Sequence, residues 1–167
     1  VPLLKLDNKQ EFRLNNHLQD KKLILFHPGY GGSSEGNLTL DDYLTLSNTV
    51  RKLVNTQIIW VFGPDDLNAK EKVEGLIPDS DIIYQPTTLL DYCYLIRDSE
   101  LLISTSTGPM HLAGALNIKT VSFFGDNLFA SFERWATISD PSQQNNFVIN
   151  KEKNLQVMKK ATVQALS

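Results

Sequence analysis

The chain has 167 residues, 41% hydrophobic and 21% charged, with a formal net charge of −3, which suits one globular domain large enough to bury a core. That balance offers no basic surface for nucleic acid, no apolar run approaches the roughly 18 residues that span a bilayer, and no leader-peptide pattern opens the chain. Cys93 is the one cysteine, so no internal disulfide or thiolate-paired metal site can form, and a soluble domain in a reducing cytoplasm is expected.

Residues 1–20 read as an extended lead-in followed by a short polar helix, with His17 facing solvent. The chain starts Val-Pro without an initiator methionine, and we read it as a piece of a longer protein: an interdomain-linker remnant over 1–20 and a domain over 21–167. The first strand is predicted over residues 22–26 (KLILF), with the glycine-rich stretch HPGYGGSSEGN behind it. In the helix that follows, Leu40, Tyr43, Leu44, Val50, Leu53 and Val54 share one face. Thr39 with Asp42 makes a capping-box start there, and Arg51 and Lys52 stand in the last turn, where the dipole favours cations.

Further strands are predicted over 57–62, 81–84, 101–104, 120–124 and 147–149. Between them lie a polar helix over 66–74, a helix over LLDYCYLIRD introduced by Thr88 and Asp91, and a helix over 108–116 stopped by a left-handed Asn117; a helix over 154–166 closes the chain. Continuous apolar strands mark a sheet covered on both faces, and strict strand-helix rotation implies parallel strands joined by right-handed crossovers. The expected fold is an open, mostly parallel α/β sheet with helices on both faces. Ligands bind such sheets at the carboxyl ends of the strands, near the reversal in strand order. That rule singles out residues 27–37, 63–66, 85–87, 104–111 and 125–129.

Two of these loops carry chemistry. Gly29, Gly31, Gly32 and Gly36 permit positive φ and close approach of backbone N–H groups to an anion. The loop nevertheless fails the dinucleotide fingerprint, because Ser34 stands at the third glycine position. It also fails the Walker A pattern, because Asn37 replaces the lysine. In STSTGPMHLAGAL, Thr107 can cap the helix and leave the N–H groups of Gly108, Met110 and His111 pointing out of its positive end, while Pro109 has no N–H to lose. The His111 ring can donate to the same anion, its pKa lowered slightly by the dipole, or it can bond a neighbouring carbonyl. No Gly-x-Ser-x-Gly elbow points to a serine nucleophile. A diphosphate would satisfy both loops at once.

HPGYGGSS, a strand ending VFGP, and LLDYCYLIRDSELLISTSTGPMHLAGALNIKTVSFFG together resemble the nucleotide-binding C-terminal half of the heptosyltransferase-like glycosyltransferases of family 9. The resemblance covers nearly all of residues 20–167 and implies the Rossmann-like C-terminal half of a GT-B fold. It further implies a nucleotide-sugar-binding domain over 21–167 that grips an ADP-heptose-like donor in lipopolysaccharide or surface glycan synthesis, with no metal and no cofactor beyond the donor itself. Thr107, Gly108, Met110 and His111 would lie near the diphosphate, with Gly29, Gly31, Gly32, Ser33 and Ser34 on its other side. The loop at Gly63 would bring Asp65 or Asp66 to the ribose, and Ser106 would face the donor sugar.

By the same resemblance the base and the glycan or lipid-linked acceptor belong to an N-terminal half, so the domain alone would bind without turnover. The whole protein would work at the cytoplasmic face of the inner membrane, peripherally associated. Two positions depart from the family pattern. Ser106 replaces an aspartate, and Glu35-Gly36-Asn37-Leu38 lacks the basic residue that ends the first loop. Loss of one charge-assisted contact to a diphosphate lowers affinity by about one to two decades, or about 1.5 to 3 kcal/mol. Arg134 or Lys119 are the residues available to compensate. The same departures motivate a second reading, a non-catalytic GT-B-like module for protein association.

Three further features have a packing reading beside a functional one. Phe129, Phe132 and Trp135 in DNLFASFERWATI pack the core or wall a nucleoside pocket. Cys93, beside Tyr92 and Leu95, reads as a buried structural thiol. His27, ending a buried strand, orients the glycine loop or meets ligand.

Overall fold

The computed structural model describes residues 5–7, 11–28, 39–105, 108–125, 141–149 and 155–166. Its strands are β1 (Lys22–His27), β2 (Thr56–Val61), β3 (Ile82–Tyr84), β4 (Leu101–Thr105), β5 (Lys119–Gly125) and β6 (Gln144–Ile149). They form one six-stranded sheet in the order β3-β2-β1-β4-β5-β6, and every neighbouring pair is parallel. The helices are α1 (Glu11–Asn15), α2 (Leu40–Arg51), α3 (Leu67–Glu74), α4 (Leu89–Asp98), α5 (Gly108–Ala115) and α6 (Leu155–Leu166). The open parallel α/β sheet expected from the strand-helix rotation is therefore the fold observed.

Because successive strand residues point to opposite faces, each apolar strand feeds two cores. Ile24 and Phe26, Ile58 and Trp60, and Leu101 and Ile103 face one cluster, closed by Tyr43, Leu46 and Val50 of α2, Val73 of α3 and Met158 of α6. Leu23 and Leu25, Ile59 and Val61, and Leu102 face the other, closed by Tyr92, Leu95 and Ile96 of α4 and by Ala113 of α5. The chain thus winds α2 and α3 on one face and α4 and α5 on the other, as continuous rather than alternating hydrophobicity requires.

Helix ends follow local chemistry. Asp42 N–H donates to Thr39 Oγ1 at 3.2 Å and Thr39 N–H to Asp42 Oδ2 at 3.0 Å, so the capping box of α2 is complete. At α4 one arm of that device is present, Asp91 N–H to Thr88 Oγ1 at 3.1 Å. Asn117 takes the left-handed conformation at φ 55°, with Asn117 N–H bonded to Gly114 O and Ile118 N–H to Ala113 O. That is the Schellman pattern, and it stops α5 where expected.

Two expectations are corrected. Val54 does not belong to the buried face of α2: the helix ends at Arg51 and Val54 is 82% exposed, whereas Leu46 and Ser47 fill the face. The last strand begins at Gln144, three residues ahead of its apolar part, because its ladder with β5 uses backbone groups. Cys93 is buried and burial raises its thiol pKa, as a structural thiol requires, and His17 is exposed.

The described part of the lead-in packs on the domain. Leu18 is buried, and Arg13 donates to the carbonyls of Leu18, Lys21 and, across at the end of α4, Asp98. At the amino edge of the sheet Arg51 donates from Nε to Asp81 Oδ1 at 3.0 Å and from a terminal nitrogen to Oδ2 at 2.5 Å, while Trp60 Nε1 donates to Oδ2 at 3.0 Å. The side chain of Asp81 is 2% exposed, so this bidentate pair ties α2 to the start of β3.

Candidate functional site

In the observed strand order β1 and β4 are neighbours, and the chain leaves β1 toward one face and β4 toward the other. Their carboxyl ends therefore diverge, and this is where a crevice opens in a doubly wound sheet. His27 ends β1 in register with Ser104. Beside it lies a cleft of about 460 Å³, lined by His27, residues 61–66 and 86–89, Tyr92, Gly108 and Pro109. Pro64, Pro86 and Leu89 give it apolar walls, and the polar groups are few. Such a cavity suits a flat, partly apolar ligand fixed by a small number of polar contacts.

The turn after β2 is closed from both sides. Asp66 N–H donates to Gly63 O at 3.1 Å, and Asp66 Oδ2 accepts from Gly63 N–H at 2.9 Å. Asp66 precedes α3 but makes no side-chain cap there, since its carboxylate turns back to the glycine. A Cβ at position 63 would stand 3.3 Å from that oxygen, so glycine lets the turn close this tightly. Of the two acidic residues expected near a ribose, both line the cleft. Asp65 is exposed and Asp66 is engaged by the loop.

His27 is 6% exposed, with Nε2 3.9 Å from Asp66 Oδ2 and its ring 6.3 Å from that of Tyr92. Burial lowers its pKa, outweighing the Asp66 carboxylate and the Val61 carbonyl that favour the charged form. The imidazole is thus neutral near pH 7.

The start of α5 lies at the cleft. Gly108 is exposed and lines it with Pro109, and a Cβ at position 108 would meet nothing within 4 Å among the described residues. The first-turn N–H groups have no partner within the helix, so the positive end of α5 is presented here. Met110 buries its side chain completely, which leaves its backbone as the part able to serve a ligand. His111 is exposed in the first turn, outside the cleft lining, and partial burial lowers its pKa.

Gly29, Gly31, Gly32, Ser33, Ser34, Ser106 and Thr107 lie outside the described residues, as do Arg134 and the Phe129, Phe132 and Trp135 cluster. Lys119 is not placed to compensate for a missing loop cation. It begins β5 at the amino edge, the far end of the sheet from the cleft, and its Nζ donates to Ala165 O at 2.9 Å. Tyr92 is a cleft residue that the sequence left beside Cys93 as packing. Its signal was position: it stands one turn past the Thr88 cap, at the end of α4 nearest the carboxyl ends of the strands. Among the described residues no group of three His, Cys, Asp or Glu side chains is poised for a metal, and no helix is long and apolar enough to cross a membrane.

The fold and the position of the cleft define a doubly wound α/β domain with a ligand crevice at its switch point. Residues 2–164 match the family model of Glycosyltransferase family 9 (heptosyltransferase), and the chain belongs to that family. A Haemophilus influenzae protein provisionally named a glycosyltransferase is 31% identical over 123 residues, which is 72% of this chain and 35% of that protein. The structure of Escherichia coli ADP-heptose LPS heptosyltransferase II superimposes with a TM-score of 0.72 at 18% identity, over 99% of this chain and 53% of that one. Escherichia coli heptosyltransferase WaaC with ADP gives a TM-score of 0.71 at 12% identity, over 87% of this chain and 45% of that one. The chain therefore spans about a third of the length of the Haemophilus relative and about half that of the two structures.

Proposed function

We propose that this chain is the donor-binding part of a glycosyltransferase that uses a nucleoside-diphosphate sugar, ADP-heptose-like, in lipopolysaccharide or surface glycan assembly. The observation that carries the reading is the opening of the cleft at the β1/β4 switch point onto the first turn of α5 in a member of this family. The related structures named for ADP-heptose and holding ADP support the same ligand class. The diphosphate lies against the α5 amides with His111 beside it, and the nucleoside enters between residues 63–66 and 86–89. Fixed backbone dipoles at a helix start stabilise a departing diphosphate without reorganisation and without a metal. The base and the acceptor site lie in sequence beyond this domain, so the chain binds donor without turning it over.

Calorimetric titration with ADP, GDP and UDP tests this reading. Saturable binding of at least one is expected. Binding of none would favour a non-catalytic module instead.

A further inference from the structure

Two polar atoms in the cleft wall have no hydrogen-bond partner among the described residues: Nδ1 of His27 and the hydroxyl of Tyr92. Both side chains are more than nine-tenths buried, and both residues line the cleft. Buried polar groups are nearly always paired, so two unpaired ones on residues that line one cavity call for a partner beyond the described residues.

Their chemistry narrows that partner. The Asp66 carboxylate beside Nε2 draws the imidazole N–H to that side, which leaves Nδ1 a bare acceptor on a ring that burial keeps neutral. The Tyr92 phenol, kept protonated by burial and by Asp66, both donates and accepts. An ionised phosphate oxygen only accepts, and at Nδ1 it would set lone pair against lone pair. A hydroxyl donates and accepts on one atom, and two neighbouring hydroxyls on a sugar ring do so at two points. A trapped water is the competing occupant.

Resting on the reading of the cleft as a nucleoside-diphosphate sugar site, we propose that His27 and Tyr92 hold a hydroxyl-bearing ring of that ligand, its ribose or its transferred sugar. The pair thereby selects hydroxylated over deoxygenated ligands.

The test is calorimetry on wild type, Tyr92→Phe and His27→Gln. The probes are the best-bound of ADP, GDP and UDP, its 2′-deoxy and 3′-deoxy forms, and its glucose conjugate. Tyr92→Phe removes an oxygen that no described protein group holds, so its unfolding midpoint is expected to stay level or rise. If the ribose is held, Tyr92→Phe weakens the ribonucleotide about five- to tenfold and no longer distinguishes it from one of the deoxy forms. If the transferred sugar is held, the same loss appears for the glucose conjugate and not for the free diphosphate. His27→Gln, which displaces the acceptor, reproduces the pattern. Equal affinities of all three proteins for every probe would overturn this inference alone and leave water on those atoms. Failure of the wild type to bind any probe would overturn it together with the reading beneath it.

Discussion

The carboxylate of Asp66 accepts the backbone N–H of Gly63 at 2.9 Å, so the residue that introduces α3 closes the preceding turn instead of capping its helix. This fixes one rim of the cleft by a charge-assisted bond in a nearly buried place. Asp66→Ala is expected to lower stability by about 1.5 to 3 kcal/mol in urea unfolding. Asp66→Asn, which keeps an acceptor, loses less. If both variants unfold at the wild-type midpoint, the turn is held by something else.

Gly108 separates a packing role from a ligand role. An added methyl group meets no atom of the described residues within 4 Å, and alanine is the better helix former by up to about 1 kcal/mol. Gly108→Ala should therefore match or exceed the wild type in thermal unfolding and still weaken nucleoside-diphosphate binding several-fold, because the proposed site brings the phosphates to this position. His111→Ala should weaken the same binding while leaving stability alone. Undiminished affinity in either variant removes that residue from the site.

The clasp between Arg51 and Asp81 is structural and lies at the other edge of the sheet. Removing the guanidinium leaves a side-chain carboxylate that is 2% exposed, with the Trp60 indole its one remaining donor among the described residues, and Arg51→Ala is expected to lower stability by about 3 kcal/mol. Nucleotide affinity measured well below the unfolding midpoint should not change. A stable Arg51→Ala protein with altered affinity would contradict this division of labour.

His27 makes stability pH-dependent. Burial holds its folded-state pKa below the ordinary 6.5, so as pH falls the unfolded chain takes up the proton first. Stability is then full above about pH 6.5 and declines below it, by at most about 1.4 kcal/mol per pH unit for one proton. His111 is shifted the same way and adds to the decline. Urea midpoints between pH 7.5 and 5.5 should fall less steeply in His27→Gln than in wild type, and parallel slopes would show that His27 is not the group responsible.

The parts of this fold legible in the sequence are those fixed by short-range chemistry. Thr39 and Asp42 cap α2 through neighbours three residues apart, and Asn117 stops α5 through its own φ and two local carbonyls. The strand-helix rotation gave the parallel sheet and pointed to the loops at 63–66 and 85–87 that line the cleft. Helical periodicity alone puts Val54 on the face of α2, but the helix ends at Arg51 and Asn55 turns left-handed at φ 60° soon after. Charge alone makes Lys119 a candidate to replace the loop cation, but as the first residue of β5 it belongs to the edge of the sheet away from the cleft. The position of Tyr92 one turn past the Thr88 cap places it near the cleft, but its burial there depends on how α4 seats against the sheet, and that is tertiary packing.

The most direct test of the account is amide chemical-shift mapping of the ¹⁵N-labelled chain during titration with its best-bound nucleoside diphosphate. The account predicts saturable shifts at Gly63, Gly108, Met110 and His111, with Asn55 and Gly75 at the opposite edge unmoved. Shifts confined to that opposite edge, or none at saturating nucleotide, would contradict it.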